Sequence, residues 1–309
     1  MDYKIAGISL YYIISWFFIY SFLGWIWESA YVSVKKRKLV NRGFINGPLC
    51  TIYGAGAMFV YLLLRPVQGN PVLLYVGGVV LATLLEYITG WLMEHIFHTR
   101  WWDYSSKKYN LHGYICLSSS LAWGGFTLLL FYVLQPFVSW ITGLYPVRIG
   151  KIIDGIIAVL YAADFTVSAS AAFGLSKTFE KAEDMLEELV LYIQSTKLYE
   201  TREEIRGKLE TLPGYIRYQD TRERLGMKKQ ELLERFEARR KEGLLPDWES
   251  YGKMKQELEQ RMDEFTEKWI ELRKKQNVIK KRMVYAYPDL KKHFLRYREK
   301  HQEKKTKGE

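Results

Sequence analysis

Residues 72–98 read VLLYVGGVVLATLLEYITGWLMEHIFH, and the only acidic side chains in that run are Glu86 and Glu94. A stretch this long and this apolar crosses the roughly 30 Å of a bilayer's hydrocarbon as a single helix. Four further stretches, at about 7–34, 49–66, 113–135 and 150–174, read the same way. The expectation is therefore an all-α chain whose first part is a polytopic membrane bundle of about five transmembrane helices. The second stretch is the shortest, and Gly43, Gly47 and Pro48 precede it. Part of it is expected to begin as broken backbone, which membranes tolerate only under a cover of protein or water.

Outward from these runs the chain changes character. Of its 309 residues, 1–174 carry 12 Lys/Arg and 7 Asp/Glu, whereas 175–309 carry 33 and 27. The mean hydropathy of −0.16 averages two unlike parts, a transmembrane domain over 1–174 and a long helical tail over 175–309. The net charge of +11 is shared almost evenly, so neither part has the basic excess of a nucleic-acid domain. Two cysteines, Cys50 and Cys116, do not make a disulfide scaffold. The first apolar run is too long for a signal-peptide core. A soluble enzyme and a secreted protein are both excluded.

Direction follows from the short loops. Lys35, Lys36, Arg37, Lys38 and Arg42 crowd the first loop, and Arg100, Lys107 and Lys108 outnumber Asp103 in the third. The second and fourth loops offer only Arg65 and Arg148. Positive charge collects on the cytoplasmic side, which places the N-terminus outside and the tail inside. Tyr11, Trp25, Trp27, Trp101, Trp102, Trp140 and Tyr145 sit near span ends as interfacial anchors do.

In the tail the apolar period becomes 3.6. Leu186, Leu189, Val190 and Ile193 form one stripe, and Met254, Leu258, Met262, Phe265, Trp269 and Leu272 form another. Pro213-Gly214, Gly243 to Pro246 and Pro288 divide it into about three long helices and a short terminal one, arranged as hairpins or a small bundle. The basic end, 273–307, reads as a solvated helix surface or as attraction to anionic inner-leaflet lipid.

Ionisable residues inside spans are expensive and mark function by default. Glu86 lies midway along the third span and Asp164 near the middle of the fifth; Glu28 and Glu94 lie toward the basic ends of theirs. Around that end fall Asn41, Arg42, Asn46, Arg100, Asp103, Asn110 and His112. Together they suggest a polar pocket open to the cytoplasmic leaflet, in which carboxylates and arginines pair. Pairs such as Glu28–Arg42 or Asp103–Arg100 would equally serve to staple the loops to the bundle. Glu94, His95, His98 and His112 match no zinc spacing, and no metal or cofactor is expected. The two cysteines read as core thiols, and Ser118-Ser119-Ser120 as a small packing face. No G-x-x-x-x-G-K-[ST] occurs, so the chain is not its own P-loop ATPase.

Several ordered blocks resemble a known bacterial membrane family. They are Phe22-Leu23-Gly24-Trp25 with Glu28, Asn41-Arg42-Gly43-Phe44-Ile45-Asn46-Gly47-Pro48 leading to Ile52-Tyr53-Gly54, and Leu85-Glu86-Tyr87 with Glu94. Trp101-Trp102-Asp103-Tyr104, Asn110-Leu111-His112-Gly113 and Ile115-Cys116-Leu117 complete the set. The pattern is similar to the CmpB-like, or type IV, ABC-transporter permease family, strongly over about 10–135, with Tyr287-Pro288 similar to a later motif. His112 departs from the small polar residue that the pattern leads one to expect. The resemblance implies a multi-pass protein of the bacterial inner membrane, with Glu28, Asn41, Arg42, Glu86, Glu94, Asp103 and Asn110 as site residues.

Three readings stay open. A transport subunit would line a path with these carboxylates, work as a homodimer and dock a separate ATPase on loops 35–48 and 99–112. A scaffold or sensor would use the tail as a platform for partners. A membrane enzyme would act on a lipid head group with a carboxylate base and an arginine. No catalytic motif supports the last.

Overall fold

The computed structural model describes residues 3–196, 201, 204–206, 218–241 and 248–307. Two short strands, β1 (Lys4–Ile5) and β2 (Ile8–Ser9), form a hairpin. Ala6 and Gly7 turn it with φ of 48° and 77°, as a two-residue hairpin loop requires. Helix α1 (Leu10–Lys36) follows and stops where Arg37 adopts the left-handed conformation, with Lys35 and Lys36 at the negative end of its dipole. Residues 38–50 are irregular, in line with the broken approach expected before α2 (Thr51–Leu64). Helix α3 (Pro71–Phe97) starts on an Asn70 cap whose side chain accepts from the amides of Val72 and Leu73, with Pro71 in the first turn.

A second small hairpin, β3 (Asn110–Leu111) with β4 (Ile115–Cys116), turns at His112 and Gly113, both of positive φ. It leads into α4 (Leu117–Leu129), a π-helical stretch at Leu130–Leu134 and α5 (Gln135–Gly143). The widened turn lies just before Pro136, which has no amide hydrogen for the helix ladder. Helix α6 (Val147–Ser195) is the longest.

Four helical stretches are long and apolar enough to cross a membrane: α1, α3, the α4–α5 rod Leu117–Gly143, and α6. The remaining stretch expected to span, Thr51–Val67, is apolar but shorter. Its 17 residues rise only about 25 Å as helix. The Cys50 amide at its start bonds Ser21 O, twelfth of the 27 residues of α1, and Arg65 at its end bonds Ala6 O in the first hairpin. The outward faces of α3 and α6 expose Val76, Val80, Leu84, Ile152, Ile156 and Val159, which hydrocarbon, unlike water, solvates.

Inside, α1 packs on α2 and α3 on α4. Trp16, Tyr20, Met58, Leu74, Phe131 and Val138 form the core toward the first hairpin. Two polar pairs lie there: Trp16 donates to Thr142 at 3.2 Å and Tyr20 to Gln135 at 2.7 Å. Asp154 accepts from Ser15.

The chain forms two compact units, 1–173 with 282–309, and 174–281. In the second, residues 174–195 of α6 pack with α7 (Tyr218–Lys241) and α8 (Trp248–Lys274). Leu186, Leu189, Val190, Ile193, Leu258, Met262, Phe265 and Trp269, all on the stripes expected from the sequence, are buried in its core. Arg222 pairs with Glu267, Lys229 with Asp263 and Glu237 with Lys255, a descending order that makes α7 and α8 antiparallel. The expected breaks at Pro213-Gly214 and Gly243 to Pro246 lie outside the described residues. Pro288 falls between α9 (Val278–Ala286) and α10 (Leu290–Lys307). The 135-residue tail expected from composition thus comprises the second unit and a returning segment that belongs to the first.

Candidate functional site

Loop 38–50 folds back along the last turns of α1. Val40 N–H donates to Ser33 Oγ and Arg42 N–H to Ser29 Oγ, while Asn41 Oδ1 accepts from Trp25 Nε1 at 2.9 Å and from the Gly43 amide. These bonds aim Arg42 inward. Its Nε lies 3.7 Å from Glu28 Oε2, and Tyr53 of α2 donates to Glu28 Oε1 at 2.8 Å. The returning segment closes the other side. Arg42 Nη1 donates to Ala286 O at 2.7 Å, its guanidinium lies over the Tyr287 ring, and the Tyr287 hydroxyl donates to Arg42 O. Burial raises the Tyr287 phenol above its ordinary range, so that hydroxyl keeps its proton.

A second node forms around Arg100. Its Nε meets Glu94 Oε2 at 2.6 Å, Nη1 donates to His112 O at 2.9 Å, and the guanidinium lies 4.7 Å from the Tyr114 ring centre. Asp103 lies 3.6 Å away and receives Arg296 at 3.1 Å. His293 Nδ1 contacts Arg100 O at 2.8 Å; a carbonyl only accepts, so the proton is on that nitrogen. Burial would raise the Asp103 carboxyl, but bonds from Ser105 and the charges of His293 and Arg100 outweigh it and hold the group below its ordinary value. Burial, with Glu94 nearby, pushes the Tyr114 phenol up to about 12.

The third node joins loop to helix. Asp164 of α6 accepts from the Asn46 amide and side chain and from Gly47 N–H at 2.6 Å. Arg282 holds the same segment, donating to Gly43 O, Phe44 O and Asn46 Oδ1 at 2.7, 2.7 and 3.0 Å. Charge-assisted bonds to backbone carbonyls are among the stronger kinds.

Glu86 stands apart from all three. It is 8% exposed, and its Oε1 accepts from Tyr104 at 3.2 Å and its Oε2 from Trp123 at 3.1 Å and Ser119 at 3.3 Å. The Trp123 ring packs on Tyr53, which holds Glu28.

Glu28, Asn41 and Arg42 therefore gather in one node, Glu94, Arg100 and Asp103 in another, and Asn46 and Asp164 in a third. Asn110 instead closes the turn before β4, through Lys107 O and the Gly113 amide. His112 is exposed, with Nδ1 at 3.0 Å from Tyr87. Glu94, His95, His98 and His112 have separate partners: Arg100, Trp91 O, the Tyr297 ring and Tyr87. Among the described residues no group of three His, Cys, Asp or Glu side chains is placed to hold a metal ion. Sequence reasoning did not single out Tyr53, Tyr104 or Trp123 as polar partners, and took Ser119 as packing. The available signal is chemical, since a buried carboxylate needs donors and few other side chains on the adjoining segments supply them.

The family model described as "Putative ABC-transporter type IV" matches residues 15–169, half of the chain. The chain belongs to that family. No curated protein and no solved structure matches it. The family region holds all eleven candidate residues from Glu28 to Asp164 and ends before the second unit and the returning segment. With its four long apolar helices, this ABC-transporter-related chain is a membrane protein.

Proposed function

We propose that the chain is the membrane subunit of a transport system driven by a separate ATPase. The observation that carries this reading is the fastening of the two basic loops to carboxylates of three spans. Arg42 is tied to Glu28 of α1, Arg100 to Glu94 of α3, and the Asn46–Gly47 turn to Asp164 of α6. A partner that presses on these loops displaces three helices at once, as the coupling of ATP hydrolysis to a membrane path requires. Family membership and the lack of a P-loop in the sequence support the need for that partner. The positive charge at Lys35–Lys38, Lys107 and Lys108 supports a cytoplasmic setting for this end and an outward N-terminus, read for a bacterial inner membrane. The irregular 38–50 segment and α2 together make the fifth crossing, and Glu86 with the three nodes lines the path. Co-purification of an ATPase with the full-length chain, dependent on the exposed loop lysines, tests the reading.

A second reading has its own observation. The returning segment clamps the same loops, so the helical unit 174–281 is joined to the membrane part through both of its chain ends. A sensor would exploit that arrangement. Partners bound to that unit and indifferent to the loops would favour it.

A further inference from the structure

Three carboxylates on α1 and α3 differ in what neutralises them. Glu28 has Arg42, and Glu94 has Arg100. Glu86, sixteenth of the 27 residues of α3 and so near mid-span, has none. Every segment packed around it has the same deficiency. On α3 the nearest charge is Glu94, two turns on and already paired with Arg100. From α2 comes Tyr53, which bonds Glu28, and Glu28 is paired with Arg42. The 98–116 loop contributes Tyr104 and Cys116, and α4 contributes Ser119 and Trp123. Among the described residues no lysine, arginine or histidine is within ion-pair range of Glu86. A lone charge at this depth costs several kcal/mol, and a proton is the one neutralising ligand that needs no cavity.

We propose that Glu86 is a proton-binding site, loaded and unloaded with one proton as the protein works. The donors around it suit both states. When Glu86 is a carboxylate, the Tyr104 hydroxyl and the Trp123 indole N–H donate to it, and the Ser119 hydroxyl, 3.3 Å away, shares its one proton between Glu86 and Cys116 O at 3.0 Å. When it takes up a proton, its new O–H needs an acceptor. A tyrosine or serine hydroxyl can rotate to accept, whereas an indole N–H cannot. The cluster thus keeps its hydrogen bonds on either side of the exchange, with Trp123 fixed as donor to the oxygen it already holds. A carboxylate kept only as a staple between α3 and α4 has no need of partners that work both ways. The balance is simple: one proton enters from water to form the acid, and the same proton leaves to restore the carboxylate. No ATPase is needed for the exchange, so the proposal stands or falls independently of the transport reading.

The test is an infrared pH titration of the full-length protein in lipid nanodiscs. The expected result is a carboxylic-acid carbonyl band that titrates reversibly, is lost in Glu86→Gln and is retained in Glu264→Gln, a substitution at an exposed side chain outside the nodes. Trp123→Phe, which keeps the carboxyl but removes one donor, is expected to shift the midpoint of that band. Should Glu86→Gln fail to fold, the Trp123→Phe shift alone decides. Wild-type spectra with no titrating band that depends on Glu86 or responds to Trp123 would overturn the proposal and leave the group as a fixed staple.

Discussion

Arg42 and Tyr287 hold each other twice: the guanidinium lies 4.0 Å above the centre of the tyrosine ring, and the tyrosine hydroxyl donates to the arginine's carbonyl. Residues 245 positions apart are thereby locked at the mouth of the membrane bundle. Removing either contact loosens the hold of the loop and the returning segment on each other.

Arg282 supports the same clamp with three acceptors, two of them backbone carbonyls. Arg282→Ala is expected to lower stability by about 2 kcal/mol and to expose the segment after residue 282 to protease while the spans stay protected. Arg282→Lys should not restore protection, because a single ammonium lacks the planar fork that meets these acceptors together. Unchanged digestion in Arg282→Ala would show that the clamp is held elsewhere.

The Glu94–Arg100 pair is more than four-fifths buried on both sides. Glu94→Gln leaves the guanidinium facing a neutral amide and is expected to cost about 3 kcal/mol. Glu94→Gln with Arg100→Met removes both charges and should recover much of that loss. Denaturation in detergent measures the three proteins side by side, and equal stability of Glu94→Gln and wild type would contradict the assignment.

Asp103 gives the clamp its acid limit. Its folded carboxyl titrates below its ordinary value, so its contribution is fully present above the unfolded value and is lost as pH falls through the lower, folded one. Protection of residues 290–297 should therefore persist at neutral and mildly acid pH and fail only below the ordinary aspartate range. Asp103→Asn is expected to weaken protection already at neutral pH, where wild type is ionised, and to abolish that acid-side dependence. An acid transition unchanged in Asp103→Asn would assign it to another group.

The apolar helices were legible because length and hydropathy are properties of a local run. Residues 72–98 and 150–174 needed no knowledge of neighbours. The pairs Glu28–Arg42 and Arg100–Asp103 were also within reach, since their partners lie in one span and its adjoining loop. Asp164 caps the Asn46–Gly47 turn, and no periodic signal links positions so far apart. The same distance hid Arg282 on Gly43 and Tyr287 on Arg42. Composition grouped 175–309 as one polar tail, whereas contacts return 282–309 to the membrane part. Tyr53, Tyr104 and Trp123 resemble ordinary membrane aromatics until the carboxylates they serve are located.

The most direct test of the account is the partner itself. Tagged full-length protein would be purified in mild detergent from the cells that make it, beside a variant with Arg37, Lys38, Lys107 and Lys108 reversed to glutamate. These four side chains are exposed on the two loops, away from the buried ion pairs. The account predicts that a P-loop ATPase accompanies the wild type and is lost from the variant, while both chains remain folded. Recovery of the chain alone, or with a partner that tolerates all four reversals, would contradict it.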